Sequence, residues 1–165
     1  MSNGAKVNEP NMKAQYLTFD LAGEMYGVEI LRVQEIRGWE TVREIPNTPD
    51  YIKGALNLRG EIVPIIDLRV RFAMENIEYT PVTVVIVLCV ETEQGSSIMG
   101  IVADAVSDVL DVNLNDIKDK PNLGVKIDTQ FIRGMYVTKD NMIMLLNVDK
   151  LLNPEQFEGI AEALS

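Results

Sequence analysis

Short alternations of apolar and polar residues, cut by Gly, Pro and Asn, run through most of the chain and predict strands rather than helices. Tyr16-Leu17-Thr18-Phe19-Asp20-Leu21, a turn at Ala22-Gly23-Glu24 and Met25-Tyr26-Gly27-Val28 read as a hairpin. The second half repeats the pattern with Ile86 to Val90, a turn at Glu93-Gln94-Gly95-Ser96, and Ile98 to Ile101. Ile62-Val63-Pro64-Ile65-Ile66-Asp67-Leu68 is apolar on both alternating faces, as in a strand buried on two sides where one barrel packs on another. Pro64 cannot donate to a ladder, so it predicts a bulge or a sheet edge. Thr48-Pro49-Asp50 before Tyr51 to Gly54 has the pattern of a capped single helical turn. At the end of the chain, Asn153-Pro154-Glu155-Gln156 opens a helix over 153–165 whose Phe157, Ile160, Ala161 and Leu164 form one apolar stripe. Residues 1–14 carry no periodic pattern and are expected to be a disordered tail.

The chain also repeats itself. Gly27-Val28 and Val33-Gln34-Glu35-Ile36 return 73 positions later as Gly100-Ile101 and Val106-Ser107-Asp108-Val109. Ile52-Lys53-Gly54 and Asp67 return 80 positions later as Ile132-Arg133-Gly134 and Asn147. The seven extra residues belong in the polar stretch from Asp111 to Gln130, where a loop absorbs an insertion cheaply. Two homologous halves follow, 15–80 and 81–150, each with about five short strands. The expected fold is all-β, two small barrels within residues 15–155.

Comparing the two copies separates what the fold needs from what is spare. The turn Asn57-Leu58-Arg59-Gly60-Glu61 corresponds to Val137-Thr138-Lys139-Asp140-Asn141, so the architecture does not demand a guanidinium at the tip. An arginine at a hairpin tip is ordinarily a solvated side chain. Held on a rigid turn beside Asn57, it is also a fixed array of donors of the kind enriched at interface hot spots. Strict alternation along Ile30 to Arg37 puts Arg32, Gln34 and Ile36 on one face and Val33, Glu35 and Arg37 on the other. Val33, apolar among charges, is then a candidate exposed contact. Asp67 either caps the following turn, as its echo Asn147 would, or takes part in binding. Trp39, after Gly38, either folds onto its own barrel or anchors an interface.

Composition narrows the functional classes. Fifteen Lys and Arg against 25 Asp and Glu give a net charge of -10, which repels phosphate backbones and anionic lipid, so nucleic acid is not an expected partner. The chain has no histidine, and with it go the commonest general base, metal ligand and nucleophile activator. No phosphate-cradling, CxxC or calcium-loop pattern occurs, so no cofactor or metal is expected. Paired carboxylates such as Glu35 and Asp67 are the catalytic option left, and binding is the better-supported class. Cys89 lies in the apolar run Val84 to Val90 and is expected to be a buried thiol. No apolar run is long enough to span a bilayer and the start lacks a signal-peptide core, which predicts a cytoplasmic protein without direct membrane insertion.

Tyr26-Gly27-Val28-Glu29-Ile30, Val33-Gln34-Glu35-Ile36-Arg37-Gly38, Ile52-Lys53-Gly54, Asn57-Leu58-Arg59-Gly60, Ile62 to Leu68, Thr83 to Val87 and Val106-Ser107-Asp108-Val109-Leu110 together resemble the CheW family of bacterial chemotaxis coupling proteins. The resemblance implies two intertwined SH3-like five-stranded barrels, exchanging strands across an apolar interface, without enzymatic activity or cofactor. It implies an adaptor joining the cytoplasmic tip of a chemoreceptor to the regulatory domain of the histidine kinase CheA in extended arrays, with weak self-association there. The CheA regulatory domain and the coupling half of CheV-type proteins share this fold; a chain of this length with its own start and a C-terminal helix favours the free adaptor. Carried over by motif, Val33, Glu35, Gly54, Arg59 and Val84 fall where receptor or kinase contacts are expected, with Asn57 in the same turn as Arg59.

Overall fold

The computed structural model describes residues 12–119 and 127–153. Ten strands lie in these segments: β1 (Lys13–Leu21), β2 (Glu24–Glu29), β3 (Val33–Gly38), β4 (Ile52–Leu58), β5 (Glu61–Ile66), β6 (Val84–Thr92), β7 (Gly95–Ala103), β8 (Ala105–Asn113), β9 (Ile132–Val137) and β10 (Met142–Leu146). One-turn helices follow β5 and β10, α1 (Leu68–Arg71) and α2 (Val148–Leu151). The expected C-terminal helix and most of the expected tail lie outside the described residues. β1 begins at Lys13, ahead of the expected start at Gln15, because Lys13 and Ala14 pair with Asn113 and Val112 of β8.

Neither half of the repeat makes a barrel alone. One sheet has the order β8-β1-β2-β10-β9 and the other β3-β6-β7-β5-β4. Barrel one thus joins the first hairpin of the first half to three strands of the second, and barrel two does the reverse. The chain crosses between barrels at the 3-10 turn Ile30–Arg32 and again at Asp104. The exchange is closed by two parallel pairings, β2 with β10 and β5 with β7.

Three apolar cores result. Val42, Val63, Ile65, Val85, Val87 and Val102 fill barrel two. Tyr16, Val112, Ile143 and Leu145 fill barrel one. The largest cluster lies between the barrels and draws on both, with Phe19, Tyr26, Ile66, Leu68, Ile86, Leu88, Ile101 and Leu146 among its buried members. Each such side chain returned to water costs about 1.5–3 kcal/mol, so the two barrels fold as one unit. β5 serves both faces, as its continuous apolar run predicts: Val63 and Ile65 point into barrel two, Ile66 into the shared core. Pro64 is neither at a bulge nor in an edge strand. It pairs with Ala55 on β4, and β7 joins β5 only from Ile65 onward, so no ladder bond is lost.

The segment before β4 is a turn, not a capped helix. Thr48 Oγ1 donates back to the Ile45 carbonyl at 2.7 Å instead of capping forward. The helical turns fall instead after β5 and β10, where the Asp67 side chain accepts from the Arg69 amide and the Asn147 side chain from the Lys150 amide.

Candidate functional site

The β4–β5 hairpin ends in a two-residue loop, with Leu58 opposite Glu61. Arg59 and Gly60 both take positive φ, 54° and 88°, the signature of a type I′ turn. Glycine adopts that conformation freely, whereas an arginine there is uncommon. Asn57 Oδ1 accepts from the Gly60 amide at 2.9 Å and fixes the turn. The echo differs, since neither Lys139 nor Asp140 takes a positive φ. The Arg59 side chain is 89% exposed, and its guanidinium reaches back to Glu35 Oε1 at 3.8 Å. Glu35 also holds Arg37 at 3.3 Å, and Arg37 lies 3.8 Å from Glu40. Four alternating charges, Arg59, Glu35, Arg37 and Glu40, therefore form a seam from the β4–β5 turn along β3 to the residue pair after it, with β3 and β4 the two edges of the second sheet. At the equivalent seam of barrel one, Asp108 and Lys139 form no ion pair among the described residues.

Strict alternation misplaced Val33. A bulge between Val33 and Glu35 resets the register, so Val33 pairs with Leu88 and Ile36 with Ile86, while Glu35 and Arg37 pair with Val87 and Val85. Val33 and Ile36 therefore share a face. Val33 packs on the shared core, and the exposed apolar residue on β3 is Ile36, 43% accessible. Arg32 is not in the strand but in the turn before it. Val84 lies opposite Gly38 and Ala103, half-buried against the shared core on the Val33 side of the ladder.

Gly54 has a structural reason to be glycine. Its φ is +149°, and a Cβ there would fall 2.2 Å from the Arg43 carbonyl oxygen, which accepts from the Ala55 amide at 2.8 Å. Gly134, its echo, faces the Lys118 carbonyl in the same way. Of the six expected contact residues, the fold thus brings Glu35, Asn57 and Arg59 together on one seam. It puts Val33 and Val84 behind that seam and Gly54 under the backbone of residue 43.

Asp67 is fully buried and does more than cap α1. It accepts from Arg69 Nε at 3.0 Å and Nη2 at 2.9 Å, and from the Tyr79 hydroxyl at 2.5 Å. Arg69, itself without solvent exposure, also donates to the Glu78 carbonyl and to Asp104, whose other oxygen accepts from the Ala22 amide at 2.6 Å. Burial raises the Asp67 carboxyl, but the hydrogen bonds from Arg69 and Tyr79 and the Arg69 charge outweigh it and hold Asp67 below its ordinary value. Burial likewise depresses Arg69, and Asp67 and Asp104 more than reverse it. Burial and the bond to Asp67 push the Tyr79 phenol up. Asp67 is committed to these enclosed partners, whereas Glu35 is held on the seam by Arg37 and Arg59. Arg69, Tyr79 and Asp104 went unnoticed in the sequence; an arginine two residues past an aspartate in an otherwise apolar run was the available signal.

Trp39 folds onto barrel two. Its ring lies 4.6 Å from Tyr79, its amide donates to the Thr83 carbonyl at 2.9 Å, and it packs on the barrel interior. Cys89 is half-buried on β6 rather than fully enclosed. No helix among the described residues is long and apolar enough to cross a membrane.

Two strand-exchanged barrels joined by a shared core, with a charge-braced turn projecting from a chain of net charge -10, define a double β-barrel scaffold. The chain belongs to the CheW-like family of chemotaxis scaffold proteins, whose domain model matches residues 15–156. It is 46% identical to the chemotaxis protein CheW of Klebsiella aerogenes over 152 residues, covering 92% of this chain and 89% of the relative. With the chemotaxis protein CheW of Rhizobium meliloti it shares 34% identity over 159 residues, covering 96% and 99%. The crystal structure of the scaffolding protein TtCheW from Thermoanaerobacter tengcongensis superposes with a TM-score of 0.74 at 34% identity, covering 85% of this chain and 88% of that one.

Proposed function

We propose that this protein is a non-enzymatic adaptor that couples chemoreceptors to the histidine kinase CheA, using the Glu35–Asn57–Arg59 seam of barrel two as a docking contact. The observation that carries the reading is Arg59: a guanidinium 89% exposed on a fixed turn, its backbone in a conformation that arginine seldom adopts. On a chain of net charge -10, it offers a local positive point with planar donors to a partner carboxylate. The resemblance of Val33, Gly54 and Val84 to family contact positions extends the docking face around β3 and the start of β6. Rigid barrels with separate faces suit a protein that must hold receptor and kinase at once in a receptor cluster, and the coupling is then a free energy between two binding sites. Copurification with the kinase regulatory domain and a receptor fragment tests this. Arg59→Glu should keep the fold and weaken binding of at least one partner by about 2 kcal/mol or more. Undiminished capture of both partners would refute it.

A further inference from the structure

The two points at which the chain crosses between barrels carry matching ion pairs of opposite sense. At the first crossing Arg32 grips Asp149 of α2 with both guanidinium nitrogens, at 2.6 and 2.7 Å. At the second crossing Asp104 receives Arg69 of α1. Asp149 and Arg69 are equivalent positions of the repeat, 80 apart, so each crossing is tied to the helix that closes a barrel, with the charges exchanged.

Their surroundings differ. Arg69 has no exposure and is held by Asp67, the Glu78 carbonyl and Asp104 together. The two aspartates are alike, Asp104 33% and Asp149 35% exposed, but Arg32 is 25% exposed where Arg69 is wholly enclosed. The Arg32–Asp149 pair gathers three elements: Arg32 Nη1 also donates to the Cys89 carbonyl at 3.1 Å, and Asp149 Oδ1 accepts from the Glu91 amide at 2.9 Å, both on β6 of barrel two. A solvent-reached ion pair is weakened by salt and opens at small cost, whereas breaking a buried one strands a charge. Beside Arg32, Leu31 stands 87% exposed at the head of β3.

We propose that the Arg32–Asp149 pair is a releasable latch between the two barrels, with the Arg69–Asp104 pair, whose guanidinium is wholly enclosed, as the fixed joint. A partner that grips Leu31 and β3 thereby sets how tightly α2 is held to barrel two. This last step rests on the docking role of β3 proposed above; the latch itself does not.

Amide hydrogen exchange of the free protein tests the latch without any partner, because the Glu91 amide is bonded to Asp149 itself. Arg32→Ala, and Asp149→Asn, which keeps an acceptor but removes the charge, should speed exchange at Glu91 and at Leu151 at least tenfold. The amides of Arg71 in α1 and of Phe72, its C-cap, serve as internal controls and should not change. Raising salt to about 1 M on the unmodified chain should act in the same direction, since charges are then screened within about 3 Å. Unchanged exchange at Glu91, or acceleration equal to that of the control amides, would overturn the latch. If the latch holds and partner binding leaves Glu91 exchange unaltered, the link to β3 fails alone.

Discussion

Glu35 on β3 and Arg59 at the tip of the β4–β5 hairpin meet at 3.8 Å across the seam of barrel two, without a shared ladder. Arg37, 3.3 Å from the other Glu35 oxygen, holds the carboxylate in place. The pair therefore aims a guanidinium rather than cementing the barrel. Because Arg59 is almost wholly solvated, a double-mutant cycle with Glu35→Gln and Arg59→Gln in the free protein should give a coupling of about 1 kcal/mol or less by urea unfolding. The same cycle on partner affinity should give a larger value, measured by titration calorimetry. A coupling in the free protein well above 1 kcal/mol would mean that the pair serves stability.

The buried charges behave otherwise. Asp67→Ala leaves Arg69 buried with Asp104 as its one remaining carboxylate and should destabilise the fold by about 3–5 kcal/mol. The pH dependence follows from Asp67 being held below its ordinary value. A carboxyl depressed in the folded state contributes stability above its unfolded pKa, and that contribution is lost as pH falls through the folded pKa. The Asp67 contribution should thus be flat from neutral pH down to about pH 4 and disappear below it. Denaturant unfolding at a series of pH values checks this: the acid slope should lessen in Asp67→Asn.

Gly54 is a position where loss of binding must be separated from loss of fold. A Cβ there meets the Arg43 carbonyl at 2.2 Å with a φ of +149°. Gly54→Ala should lower stability by about 2 kcal/mol or more, read by thermal unfolding. Any weaker binding by that variant then reports a displaced residue 43 segment as much as a lost contact.

Much of this arrangement was legible in the sequence for a physical reason: duplication leaves two samples of one solution. Glycines at 27, 54, 100 and 134 and the polar residues at 67 and 147 recur because backbone packing and helix caps require them in both copies. Arg59, with Lys139 as its counterpart, stood out because the fold does not require it. What alternation could not give was the bulge at Gln34, because one inserted residue reverses every side chain after it. Val33 and Ile36 changed roles on that account. The Asp67–Arg69–Asp104 cluster was hidden for another reason, since Asp104 lies 35 positions from Arg69 and only the strand exchange brings it to α1.

The strain at Arg59 separates binding from folding most directly. Arg59 occupies the first central position of a type I′ turn, where asparagine followed by glycine is strongly preferred. Asn57 already secures the Gly60 amide, so the guanidinium contributes nothing to the turn's own hydrogen bonding. Its pair with Glu35 is solvent-screened and weak. Arg59→Asn should therefore raise stability by about 0.5–1 kcal/mol while weakening partner binding. Urea unfolding of the free protein and calorimetric titration with the kinase regulatory domain and a receptor fragment give the two readings. A residue kept for the fold would lose stability on this change, and one kept for nothing would leave affinity unaltered. A gain in stability with a loss in affinity is the outcome that identifies the turn as a site maintained for a partner.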